Sequence, residues 1–202
     1  MKNLLPILFI ISSLYSFSQE NELIYNTFNS TRIINAHSTE TLEKRQLDFR
    51  VGHRFGDIAG DNGGIKTLYG IDNSADISIG FEYGITNNLN IGINRFKGAG
   101  PYRQLYEGYA KYKILSQSNT MPVSLVGLAK MNVTSMEASE DSTSPNYYTN
   151  FTDRVSASYQ LLIARKFSER FSMQIMPTYV HRNFVGFYDQ NGTFAVGTAA
   201  RF

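Results

Sequence analysis

From Lys44 onward the chain alternates apolar and polar side chains, and this period of two most restricts its fold. Successive side chains of a strand point to opposite faces, so alternation gives each strand one apolar and one polar face. In Leu47-Asp48-Phe49-Arg50-Val51-Gly52-His53-Arg54-Phe55 the odd positions are mostly apolar and the even ones polar or Gly. Ile77, Ile79, Phe81, Tyr83 and Ile85 repeat the pattern against Ser78, Gly80, Glu82 and Gly84. After the turn pair Asn87-Asn88, Leu89, Ile91 and Ile93 continue it. Tyr106 to Ile114, Val155 to Ile163, Phe171 to Tyr179 and Phe194 to Phe202 give further strands, whereas 123–132 is apolar at both parities. Pro177 breaks one run and suits a strand end or bulge. The sum is about eight strands of about ten residues, the length that crosses a bilayer when tilted. No helix of ordinary length is predicted.

With the first strand taken as upward, the upper loops are 57–74, 98–103, 135–150 and 183–192. The lower connections are 87–88, 116–122 and 168–170. Long loops on one rim and short turns on the other are the asymmetry of outer-membrane barrels. The expected fold is all-β: an antiparallel up-and-down transmembrane β-barrel over residues 46–202.

Ahead of the barrel, Lys2 and the apolar stretch from Leu4 to Tyr15 precede Ser16-Phe17-Ser18. A basic start, an apolar stretch and small residues at the cleavage positions predict a cleaved signal peptide over 1–18. The stretch is shorter than the roughly 20 apolar residues that a spanning helix needs. Residues 19–45 are expected to be a periplasmic arm or a plug folded into the lumen.

Composition removes much chemistry. The chain of 202 residues has no Cys, which excludes disulfides, thiolate metal sites and thiol nucleophiles. Its net charge is +2, with no basic run longer than Lys44-Arg45, so nucleic acid is not an expected partner. A surplus of 14 Phe, 13 Tyr and 16 Gly over sparse charge fits strands facing lipid on one side and a tight lumen on the other.

Alternation alone does not say whether the apolar face meets lipid or a core. A soluble, secreted lipocalin-like barrel that binds a lipophilic ligand is the alternative. Its outward positions would need Lys, Glu and Thr, whereas the polar parity here is largely Gly, Ser and Asn. Phe55, Tyr83, Phe171, Tyr179, Phe194 and Phe202 also sit near apolar strand ends, where interfacial aromatic girdles lie. Phe202 closes an alternating strand, a feature that barrel insertion machinery reads.

The stretch from Thr27-Phe28-Asn29-Ser30-Thr31-Arg32 through Ile33-Ile34-Asn35-Ala36-His37-Ser38-Thr39-Glu40-Thr41 resembles a known group. Leu47 to Asp57, Tyr69-Gly70-Ile71-Asp72 and Glu82-Tyr83-Gly84-Ile85-Thr86 strengthen the likeness. The chain is similar to the Bacteroidetes beta-barrel family of unknown function (DUF 5777). That resemblance implies an outer-membrane-type barrel, with no activity and no catalytic residues to carry over. Family members tend to be longer, so a shortened member or a fragment is expected, with more strands in the complete barrel.

Charges at the polar parity are mixed in sign: Asp48, Arg50, Arg54, Glu82, Glu107, Lys111, Lys113, Lys130, Arg154 and Arg201. An unpaired charge inside a narrow barrel is costly, so they are expected to form a lumen network, structural or gating. Eight strands leave an interior filled by side chains, which argues against an open pore. His37, Ser38 and Glu40 hold the residue types of a catalytic triad, but near neighbours in sequence rarely reach its geometry. His53 reads as an interfacial hydrogen-bonding residue and His181 as rim. Asp57, Asp61, Asn62, Asp72 and Asp76 lack the alternate-residue spacing of a calcium loop and read as a solvated turn. Asn29, Asn132, Asn150 and Asn191 head N-x-[ST] sequons, which matter only in a glycosylating pathway. The expectation is an integral outer-membrane β-barrel protein, non-enzymatic, structural or transporting, in contact with outer-membrane lipid and without a cofactor.

Overall fold

The structure is a computed structural model that describes residues 26–72, 74–98, 103–186 and 188–202. The expected signal peptide lies outside the described residues. Two short strands come first, β1 (Arg32–Ile33) and β2 (Ala36–His37). Eight long ones follow: β3 (Leu47–Phe55), β4 (Ser74–Gly84), β5 (Leu89–Lys97), β6 (Gln104–Leu115), β7 (Ser124–Thr134), β8 (Val155–Lys166), β9 (Ser172–Arg182) and β10 (Gly192–Arg201). The expected strands extend by a few residues at most ends. The helices among the described residues are two single 3-10 turns, Gly64–Thr67 and Phe151–Arg154, both in upper connections.

β3 to β10 form one antiparallel meander in sequence order, with β3 and β10 at its two edges. No ladder joins those edges among the described residues, so the sheet is not closed by backbone hydrogen bonds as an ideal barrel would be. It is nevertheless rolled. Seven spacings of about 4.8 Å would set the edges of a flat sheet roughly 34 Å apart. Yet Arg50 on β3 reaches Ser30, and Arg201 on β10 reaches Asn29, the next residue along the chain. Two arginine side chains and one peptide unit do not bridge such a distance. The curl that brings the edges towards each other encloses the polar face.

The faces sort as the alternation predicts, and outward is the apolar side. Phe49 is 57% exposed, Ile93 64% and Val196 73%, while Asn90, Lys111 and Gln174 are fully buried. Soluble domains arrange these residue types the other way round. This polarity runs against a lipocalin-like barrel, whose ligand pocket is apolar. Aromatic pairs sit near the strand ends: Tyr179 with Phe194 above, and Phe171 with both Phe167 and Phe202 below.

Two irregularities have local causes. β7 is apolar at both parities because Val126 and Leu128 point inward, where Val126 packs on Leu162 and Met176. Pro177 lies within β9 rather than at its end. It has no N–H to donate, and the β8–β9 register skips Leu161 and Leu162 opposite Met176 and Pro177.

Candidate functional site

The segment before β3 occupies the concave polar face. Its short hairpin turns at Ile34 and Asn35, with Ile34 in the left-handed region at φ 51°. That conformation is unfavourable for a β-branched residue, by about 1–3 kcal/mol. The hairpin is closed from within: Ser38 N–H donates to the Thr31 carbonyl at 3.0 Å. Ser38 Oγ donates to the Ser30 carbonyl at 2.5 Å, and Glu40 accepts from Phe28 N–H at 3.2 Å.

Long-range hydrogen bonds then fix the segment to strands around the sheet. Thr31 donates to Glu82 on β4 at 3.0 Å, and Lys111 on β6 donates to the Glu40 carbonyl at 2.5 Å. Gln174 on β9 donates to the His37 carbonyl at 2.8 Å. On β3, Arg54 Nε donates to Asn35 at 2.8 Å; on β10, Arg201 donates to Asn29 at 2.6 Å. At the lower rim, Lys44 N–H and the Thr41 hydroxyl donate to Asn87. Ala36 packs against the small apolar cluster of Val126, Leu162 and Met176. Residues 26–44 thus lie against the polar face of the sheet.

Behind the hairpin lies a wall of paired charges. Lys111 Nζ is 3.2 Å from Glu82, which also accepts from Asn90 at 2.8 Å. Lys130 is 3.2 Å from Glu107, which accepts from Asn94 at 2.7 Å. Arg50 is 2.7 Å from Asp48, two residues away on the same strand. Glu82 and Lys111 meet across β5, on which Gly92 lies opposite both Glu82 and Tyr109. A Cβ there would lie 2.2 Å from Cζ of Tyr109, so glycine lets that ring lie over the strand.

The other charges expected in the network have different surroundings. Lys113 faces inward below Lys111, within the electrostatic reach of Glu40. Arg154 belongs to the upper rim instead: it donates to the Met136 carbonyl and lies over Tyr148, 4.6 Å from the ring centroid. Arg201 belongs to the lower rim, where it also donates to the Glu169 carbonyl. Strand parity gives the face of both residues but not their height: Arg201 meets Asn29 of the inward segment at the lower end, and Arg154 meets the Met136 carbonyl at the upper. His53 stacks on Phe55 on the outward face. Asp57 accepts from Gly60 and Ala59 N–H, which keep its carboxyl below the usual range.

His37, Ser38 and Glu40 do not converge as a triad. Ser38 and Glu40 are engaged with backbone groups, and the fully buried His37 ring meets Tyr109 edge-on at 4.6 Å. Neither imidazole nitrogen has a hydrogen-bond partner among the described residues. Burial, then the charges of Arg32, Lys130, Lys111 and Arg50, hold its pKa well below the ordinary value. The ring is therefore neutral at physiological pH.

A recess of about 270 Å³ remains above the hairpin. Gly52, Ser78 and Gly80 line it; Arg32, Arg50, Arg54 and Lys130 bring positive charge to it, and Asp48 and Glu82 negative. Arg32, Asn90, Tyr109 and Gln174 were not singled out by sequence reasoning. Inward parity marks Asn90, Tyr109 and Gln174, but nothing local marks the partner that each meets.

Comparison with known proteins yields one family. The model of the membrane bound beta barrel domain (DUF5777) matches residues 28–202. No curated protein and no solved structure matches the chain.

Proposed function

Because the chain belongs to the family of the membrane bound beta barrel domain (DUF5777), we propose that it is an integral outer-membrane barrel closed by its own N-terminal segment. The observation that carries this reading is the inverted polarity: large apolar side chains outside, paired charges and buried amides inside. Lipid satisfies such an exterior, and water does not. Full closure of the sheet follows from the same physics, since an unpaired edge within hydrocarbon leaves backbone groups unsatisfied.

The reading includes export by a cleaved signal peptide, insertion by barrel assembly machinery through β10, and a non-enzymatic role. The hairpin fills part of the space that the eight strands enclose. The protein is thus a membrane-embedded scaffold in its resting state; transport would require the hairpin to leave. Conductance in planar bilayers tests the occlusion. The full chain should be silent, and a steady open current through the folded protein would contradict it.

A further inference from the structure

We propose that the recess above the hairpin is a binding site for a compact oxyanion, of phosphate type, entering from the upper rim. The inference rests on the plugged-barrel reading for its orientation, but on the charge arrangement for its chemistry.

Three inward carboxylates are already matched. Asp48, Glu82 and Glu107 pair with Arg50, Lys111 and Lys130 at 2.7, 3.2 and 3.2 Å. Among the described residues, the guanidinium groups of Arg32 and Arg54 on the same recess form no salt bridge with a carboxylate. Arg32 lies over the Tyr109 ring, 5.0 Å from its centroid. Arg54 donates to the neutral amide oxygen of Asn35. Its cross-strand neighbour Asp76 sets its carboxylate beside Gly98, which follows β5 and where a Cβ would lie 2.1 Å from Asp76 Oδ1.

An aromatic ring and an amide oxygen orient a guanidinium without neutralising it. Each leaves N–H groups whose planar fork suits a carboxylate or phosphate oxygen. Three small residues keep the wall of the recess low. Gly52, Ser78 and Gly80 line the wall, and a Cβ on Gly80 would meet Asn94 Oδ1 at 1.7 Å. The volume of about 270 Å³ admits a tetrahedral oxyanion with several waters. The strained Ile34 at the hairpin tip is 94% exposed and lines the same recess. An anion there would therefore touch both the wall, through Arg54, and the hairpin, through Arg32. Binding would hold the hairpin in place.

The test uses the full chain folded in phosphatidylcholine vesicles, with inorganic phosphate followed by its 31P line width. Folding of each variant is checked by heat-modifiable gel migration. Phosphate should bind the parent protein, and Arg32→Gln or Arg54→Gln should each weaken it by about tenfold. Arg165→Gln, on the outward face, should leave it unchanged. A second arm adds phosphatidylglycerol to the vesicles. Unchanged phosphate binding assigns the site to a free ion, and loss of it assigns the site to a lipid headgroup, the same chemistry from another source. Equal phosphate affinity in the parent and both luminal variants would overturn the proposal, as would no binding by the folded parent. A chain that binds phosphate but remains soluble without lipid would contradict the barrel reading and leave the site standing.

Discussion

The ammonium of Lys111 lies 3.2 Å from the carboxylate of Glu82, and neither side chain is more than 4% exposed. The pair joins β6 to β4 across β5 and anchors the hairpin twice, through the Glu40 carbonyl and Thr31. Removing one partner leaves a buried charge. Lys111→Met should destabilise the folded protein by about 3–5 kcal/mol, with Glu82→Gln close behind. Lys111→Met combined with Glu82→Gln should cost less than the sum of the single changes. Urea unfolding in micelles checks this; additive losses would show that the two charges do not act as a pair.

Gln174 and Arg201 hold the hairpin from the β9–β10 side. Gln174→Ala and Arg201→Ala should each speed hydrogen exchange at the Ser38 amide by about tenfold, the equivalent of one lost hydrogen bond. Exchange in β6 should be unaffected. Uniform acceleration throughout the sheet would mean that the hairpin is part of the global core and not a separate element.

His37 makes hairpin docking depend on pH. Its folded pKa lies below the unfolded value because burial and then Arg32, Lys130, Lys111 and Arg50 oppose its charge. The undocked ring therefore takes up a proton first as pH falls. Docking is at full strength above about pH 6.5 and weakens as pH drops below it. Proteolysis of the segment should be faster at about pH 5 than at about pH 7.5, and His37→Phe should flatten the dependence. The same pH response in His37→Phe would place its origin elsewhere.

Ile93 points outward among Phe81 and Gly108, its cross-strand neighbours. At an exposed site of a soluble protein, lysine there would be nearly neutral. Facing lipid, Ile93→Lys should cost about 2–4 kcal/mol in vesicles. A change within ±0.5 kcal/mol would mean that this face meets water.

The faces were legible in the sequence because a strand's side-chain period is set by its backbone. Glu82, Glu107 and Lys111 could thus be assigned to the interior. Their partners could not, since Glu82 finds Lys111 only once β5 is in register between them. The hairpin was less legible still. Its contacts are with residues far along the chain, such as Gln174 for His37, and its two-residue strands carry almost no periodic signal. Arg154 and Arg201 had the expected parity but lay at strand ends, where height along the barrel decides their partners. The inward Val126 and Leu128 blurred the alternation of β7 because the lumen keeps a small apolar cluster for Ala36.

The most direct measurement of the central claim is an accessibility scan, made simple by the absence of native Cys. Spin labels at Gly108→Cys, Ala110→Cys and Ala129→Cys report the outward face; labels at Asn132→Cys, Ser158→Cys and Gln160→Cys report the inward one. In vesicles the outward set should be relaxed by oxygen dissolved in the bilayer and the inward set should not. Outward labels reached by a water-soluble relaxant, with no alternation between the two sets, would contradict a barrel that turns its apolar face to lipid.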